Sequence, residues 1–178
     1  MLKAEVIRSI DDAVVTDTVL IDRISYPEAW AYKDAEEYYG KMLRKKNNIY
    51  IVLRDDERRV GFLFVIPHKN AVAELRSDDP LMEIDSATYY VENVAILSGY
   101  RNKKGFSKMF EILRGELRKR NIFKISMHAR VSNNLSSNIQ RNMNIIKIRR
   151  IDAWRYYGFE EPTDYIVATW PAGKEKSR

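Results

Sequence analysis

Twenty residues in the middle of the chain, VENVAILSGYRNKKGFSKMF from Val91 to Phe110, carry its strongest chemical signal. An apolar stretch runs into Arg101, Asn102, Lys103, Lys104 and Gly105, then directly into Phe106, Ser107 and an amphipathic pattern. A strand that turns through a glycine into a helix can hold an anion. The N–H groups of the first helical turn have no intrahelical partner, the helix dipole places positive charge there, and glycine lets a pyrophosphate approach the backbone. Lys103 and Lys104 add two point charges. On spacing alone an ordinary basic turn fits the same residues; a Walker A loop does not, because it needs a second glycine and a Gly-Lys-Ser/Thr ending. With no cysteine in the chain there is no disulfide, thiolate metal site or cysteine nucleophile, and His68 and His128 alone are too few for a typical histidine metal site. Metal chemistry is therefore not expected.

The charge distribution gives this loop a context. Residues 1–100 carry 13 Lys/Arg against 18 Asp/Glu, whereas residues 101–155 carry 15 against 3. A segment of about +12 points to a phosphate-bearing partner, and the acidic remainder argues against a simple nucleic-acid coat. The bland reading, solvated helix and strand faces, fits charge runs equally well. At 178 residues the chain is long enough for one sizeable core and short for two domains. No stretch approaches the roughly 18 to 20 apolar residues of a membrane span, and MLKAEVIRSIDD lacks the apolar core of a secretory signal, so a cytoplasmic protein without membrane partners is expected.

The elements that must position the loop follow from hydrophobic period and turn chemistry. LKAEVIRSI reads as a strand, and Asp11 or Asp12 can cap a helix through AVVTDTVLIDRI that breaks at Pro27. KDAEEYYGKMLRK is a second helix, and IYIVLRDDERRVGFLFVIP is a hairpin in which Gly61 marks a bulge. His68, beside Pro67, is expected in a loop; a short helix NAVAELR and the turn SDDP follow. TYYVENVAIL is the fourth strand, the helix after the glycine loop runs from about 106 to 120, and FKISMHARV is the fifth strand. A short helix in SNNLSSNIQRNM and the strands IIKIRRI and DYIVATW complete the order. These elements describe one α/β (α+β) domain over residues 1–171, with helices covering a largely antiparallel sheet and a disordered tail at 172–178.

In this order and spacing the chain resembles the GNAT superfamily of acetyl-CoA-dependent N-acetyltransferases, over roughly residues 3–170. The family's cofactor loop, Arg/Gln-x-x-Gly-x-Gly/Ala, places Asn102 first and Ser107 last around Gly105; Arg101 takes the first position if the loop has one extra residue. A second pattern, Asn-x-x-Ala-x-x-Leu-Tyr-Glu-x-x-Gly-Phe, starts at Asn133 and puts Gln140 at the tyrosine and Asn144 at the glycine, where asparagine tolerates a left-handed helix end. A rival frame on Tyr157-Gly158-Phe159 puts Trp154 at the tyrosine and demands a long insertion. ISYPEAW is similar to the segment between the first two helices that lines the acceptor site. The resemblance implies a sheet splayed between strands 4 and 5, with pantetheine bonded like an added strand to the backbone of Val94, Ala95 and Ile96. The implied partners are acetyl-CoA and an amine acceptor, with a homodimer left open.

The resemblance also implies the catalytic groups. Glu92, in a Glu-Asn pair before the strand's apolar segment, is the candidate base; the alternative is a strand glutamate paired with a surface cation. An amide at Gln140 cannot protonate a thiolate, which leaves Tyr156 or Tyr157, before the last strand, as candidate acids. Tyr26, Trp30 and Tyr90, with Tyr89, are candidates to line the acceptor cleft, although aromatics at such positions are commonly core. His128 titrates in a useful range, but a lone strand histidine is commonly structural. Three other readings stand beside a small-molecule acceptor. One is acylation of a protein amine or aminoacyl-tRNA, served by a basic exterior of Arg114, Arg118, Lys119, Arg120, Arg149 and Arg150. The second is a non-catalytic acyl-CoA sensor, and the third is nucleic-acid binding, which the acidic half disfavours.

Overall fold

The computed structural model describes residues 1–30, 32–154 and 160–171. Tyr156, Tyr157 and the tail at 172–178 lie outside them. Seven strands, β1 (Leu2–Val6), β2 (Ile49–Asp55), β3 (Arg58–Pro67), β4 (Thr88–Ile96), β5 (Lys124–Arg130), β6 (Asn144–Trp154) and β7 (Glu161–Thr169), form one sheet in the order β1-β2-β3-β4-β5-β7-β6. Every pairing is antiparallel except β4 with β5. Among the described residues five α-helices, α1 (Asp12–Ser25), α2 (Ala35–Met42), α3 (His68–Leu75), α4 (Gly105–Arg118) and α5 (Leu135–Asn142), cover its two faces. None is long and apolar enough to cross a membrane.

Period-2 alternation sorts the core into two layers. Tyr50 and Val52 of β2, with Phe62, Phe64 and Ile66 of β3, pack against Val14, Val15 and Val19 of α1, Tyr39 and Met42 of α2, and Val72 of α3. The residues between them, Ile49, Ile51 and Leu53 with Leu63 and Val65, meet Met109, Phe110, Leu113 and Leu117 of α4 and Ile139 of α5. α1 starts where the sequence places a cap: Asp11 Oδ1 accepts the Val14 N–H at 2.8 Å.

The β2–β3 ladder slips beside Gly61, where Leu53 pairs with Gly61 and Arg54 with Arg59, leaving Val60 as the extra residue. Gly61 is needed for its neighbour on the other side, because a Cβ there would stand 2.7 Å from the Ala95 carbonyl oxygen of β4. Two expectations fail. His68 is not in a loop but opens α3, 2% exposed, with Nε2 3.0 Å from the Tyr165 hydroxyl and Nδ1 accepting the Asp85 N–H. Asn144 does not end α5 in a left-handed conformation: the helix stops at Asn142, Met143 is extended, and Asn144 already pairs with Thr169. The IIK run has enough β character to extend the strand back to the helix end.

The charge sorting along the sequence is answered in part by ion pairs across the fold. Arg149 pairs with Asp79, Arg150 with Asp164, Arg130 with Glu161 and Lys124 with Asp85. The basic exterior drawn from the sequence is thereby split. Arg114 and Arg118 lie on α4 with Lys119 and Arg120 just beyond it, while Arg149 and Arg150 lie on β6 at the far edge of the sheet, both in ion pairs.

Candidate active site

β4 and β5 pair over three residues only, Thr88–Tyr90 against Lys124–Ser126. Beyond Tyr90 the strands part, and a cleft of about 110 Å³ opens between them. Tyr26, Trp30, Tyr32, Tyr90, Glu92 and His128 are among the side chains that line it.

A second slip, in the β3–β4 ladder, sets the chemistry of this cleft. Val65 pairs with Val91 and Phe64 with Asn93, so Glu92 is the unpaired residue of a bulge. Strict alternation would send Glu92 and Asn93 to opposite faces; the bulge turns both toward α1 and α2. Glu92 Oε1 accepts the hydroxyls of Tyr38 at 2.7 Å and Tyr32 at 3.2 Å. Burial pushes its carboxyl up to about 7, Glu74 adds to that rise, and the two tyrosines oppose it. Among the described residues no lysine or arginine forms an ion pair with Glu92. Asn93 donates to Asp22 and to the Tyr39 hydroxyl, both at 2.8 Å. Asp22 is 1% exposed and its carboxyl is raised to about 6 by burial.

His128 is held more tightly than a lone strand histidine. Its Nε2 is 3.0 Å from Asp79 Oδ2, its Nδ1 is 2.9 Å from the Tyr90 hydroxyl, and its ring stacks on Trp154 at 4.1 Å. Burial alone would raise the Asp79 carboxyl, but hydrogen bonds from His128 and Arg149 outweigh it and hold the group below its usual range. Asp79 is therefore the anion, Nε2 carries the imidazole proton, and Tyr90 donates to Nδ1. Burial lowers His128 below its ordinary value, which keeps the ring neutral.

At the upper end of β4 the Leu97 N–H bonds the Val60 carbonyl at 2.9 Å, which fixes the phase of the strand edge. The backbone groups of Ala95 face β3, whereas those of Val94 and Ile96 face the opened side. Both open carbonyls are held by side chains: Tyr26 donates to that of Val94, and Arg101 Nε to that of Ile96 at 3.0 Å. Arg101 also bonds the Ser25 carbonyl at 2.9 Å, so it ties the loop to the end of α1 and is the side chain that supports it. Asn102 and Lys104 adopt left-handed backbone, and α4 begins at Gly105 with no side-chain cap. A Cβ on Gly105 would stand 2.5 Å from Leu53 Cδ2, so glycine seats the helix start against β2. Phe106 stacks on Phe110 at 4.2 Å, and Ser107 is exposed.

The remaining sequence candidates divide. Tyr26 and Trp30 meet at 5.7 Å in the cleft wall, and Arg130 lies over the Trp30 ring at 4.6 Å. Asn133 lies at the cleft, where its Oδ1 accepts the Leu135 N–H. Gln140 is exposed, donates to Ser136 Oγ at 2.9 Å and is not part of the cleft wall. Tyr89 points to the opposite layer, where its hydroxyl bonds the Asn47 carbonyl; alternation beside Tyr90 was a signal for this. Tyr32, Tyr38, Asp22 and Asp79 were not anticipated, because they are brought to β4 by tertiary packing.

No family model matches the chain, and no curated protein matches it in sequence. Solved structures do. The ribosomal-protein-S18-alanine N-acetyltransferase from Escherichia coli superposes with a TM-score of 0.65 at 15% identity, covering 100% of both chains. An aminoglycoside 6'-N-acetyltransferase complexed with coenzyme A gives 0.66 at 12%, covering 96% of this chain and 99% of its own. A GNAT-like decarboxylase in complex with isobutyryl-CoA gives 0.64 at 13%, covering 94% and 98%. At such identities the likeness speaks for the fold, and the chain has the GNAT fold.

Proposed function

We propose that this chain is an acetyl-CoA-dependent N-acetyltransferase that acts on a primary amine. The observation that carries the reading is the bulged Glu92, a carboxyl with a raised pKa facing a cleft between parting strands, with an uncapped, lysine-flanked helix start at the end of the same strand. The similar structures support it, two being N-acetyltransferases and one holding coenzyme A. The residues present fit the cofactor. The first-turn amides of α4 with Lys103 and Lys104 suit the pyrophosphate, and the edge amides of Val94 and Ile96 suit the pantetheine; in this frame Ala95 contributes no backbone bond.

Acetyl-CoA supplies the acyl group as a thioester. The amine nitrogen bonds the acyl carbon as the C–S bond breaks, and a proton leaves nitrogen while one reaches sulfur. Glu92 accepts the proton of the incoming ammonium and frees the nitrogen lone pair. Tyr32 and Tyr38 hold the carboxylate in place, and Tyr26 and Trp30 shape the acceptor side. Tyr90, hydrogen-bonded to His128, takes the second proton: once nitrogen has bonded the acyl carbon, its oxygen accepts the remaining N–H proton while its own passes to Nδ1, giving an imidazolium that Asp79 stabilises. Tyr156 or Tyr157 remains our candidate for protonating the thiolate.

Binding is tested by thermal melts. A ligand at a hundredfold excess over Kd stabilises the native state by about 2.7 kcal/mol, which for a chain of this size raises Tm by roughly 5–10 °C. Lys103→Ala with Lys104→Ala should weaken acetyl-CoA binding more at low salt than at high, because screening already removes most of an exposed attraction. No shift in ligand-free protein at millimolar acetyl-CoA would overturn the assignment.

A further inference from the structure

A cavity of about 320 Å³ lies at the other end of β2 from the α4 start. It opens where β1 leads into α1 and α2 into β2, and Arg8, Arg44, Lys45, Lys46 and Arg120 stand around it. No acidic side chain lines it. Gly105 abuts Leu53, whereas the cavity reaches Ile49 at the start of the same strand, about 13 Å away at the rise of an extended chain. α4 separates the two places along its length, with Gly105 at its start and Arg120 just past its end.

The arginines are held in position. Arg8 bonds Glu116 at 3.0 Å, Arg44 bonds Asp12 at 2.7 Å and the Gly40 carbonyl at 2.8 Å, and Arg120 bonds the Asn47 carbonyl at 2.9 Å and the Tyr89 hydroxyl at 2.7 Å. Two acids thus offset two of five cations, and Lys119 shares Glu116. Arg120 is fixed by neutral acceptors that leave its charge whole. Lys45 and Lys46 are exposed and form no ion pair among the described residues, although Glu74 is within Coulombic range of Lys45. The wall also has apolar parts, Ile10, Leu43 and Ile49, and one buried acceptor: Asn48 donates its Nδ2 to the Met42 carbonyl, which leaves Oδ1 with no partner.

We propose that this cavity is a second binding site, separate from the acyl-transfer cleft, for a small organic phosphate of nucleoside mono- or diphosphate size. Prearranged arginines and two unpaired lysines suit a multiply charged phosphate. The apolar wall suits a ring. The volume is in the range of small-ligand sites, and its concavity favours such a molecule over a nucleic-acid backbone.

The experiment is a calorimetric titration of ADP into the full chain saturated with coenzyme A, so that the α4 start is blocked. Binding is expected, weakened about tenfold or more by Lys45→Ala with Lys46→Ala and unchanged by Lys103→Ala with Lys104→Ala. Both lysines are exposed, so the double variant should keep its Tm. Three results would overturn the site: no heat at millimolar ADP, equal affinity in the Lys45/Lys46 variant, or binding that coenzyme A abolishes. Tighter, Lys45/Lys46-dependent capture of a single-stranded RNA oligomer than of ADP would also overturn it, marking a nucleic-acid surface. The cavity lies beside β1 and β2 and the acyl-transfer cleft between β4 and β5, so failure of the Lys45/Lys46-dependent site leaves acetyl transfer to be judged by its own assay.

Discussion

Glu92→Gln is expected to slow acetyl transfer at pH 7 by about 10²- to 10⁴-fold while acetyl-CoA affinity stays nearly constant, because the amide keeps the Tyr38 and Tyr32 hydrogen bonds and cannot hold a proton. The pH profile adds a signature. In the parent protein the rate should climb through about pH 7 as Glu92 ionises, and the variant should lack that limb and regain part of its rate only where the amine is already neutral. Stability should move the opposite way. A folded pKa above the unfolded value of about 4.5 means the native state binds the proton more tightly. Parent stability therefore falls as pH rises from about 4.5 to about 7, and Glu92→Gln escapes that loss. Above pH 7 the variant should be the more stable protein, by on the order of 1–3 kcal/mol in urea melts. A normally folded variant with normal turnover would remove Glu92 from the mechanism.

Asp79→Ala should have the largest effect on the fold. Asp79 is 2% exposed and receives hydrogen bonds from both Arg149, at 2.6 Å to Oδ1, and His128. Removing it strands the buried His128 N–H and leaves Arg149 to rehydrate, at a cost of about 2–4 kcal/mol. Because the native carboxyl is depressed, its contribution is present above the unfolded pKa of about 3.8 and fades as pH falls through the lower folded value. Urea midpoints of parent and variant should thus differ clearly at pH 7 and draw together only as pH falls below the unfolded value of about 3.8. A difference under about 0.5 kcal/mol at pH 7 would show that the His128–Asp79–Arg149 cluster contributes little.

Much of this arrangement is legible in the residues. The continuous apolar runs in IYIVLRD and RRVGFLFVIP, the Asp11 cap and the glycine after two lysines each predict an element that the fold contains, because local pattern and tertiary packing agree there. The bulge at Glu92 is different. It depends on which β3 residue faces which β4 residue, and nothing in TYYVENVAIL marks the slip. The same limit hides Tyr32, Tyr38 and Asp79, whose roles come from elements distant in sequence. The basic segment misleads for a related reason: its runs of Arg and Lys suggest a patch, and only the fold reveals that Asp79, Asp85, Glu161 and Asp164 answer four of them.

The central claim, that the cleft transfers an acetyl group to an amine, is tested most directly by thiol release from acetyl-CoA across a panel of primary amines. Polyamines, aminoglycosides and peptide N-termini belong in the panel, each assayed with the parent and with Glu92→Gln. The account predicts amine-dependent release of coenzyme A at pH 7, with matching acetylated amine by mass, and its near loss in the variant. Tight acetyl-CoA binding with no amine-dependent thiol release from any member, at pH 7 or pH 9, would contradict it and leave a protein that binds acyl-CoA without turning it over.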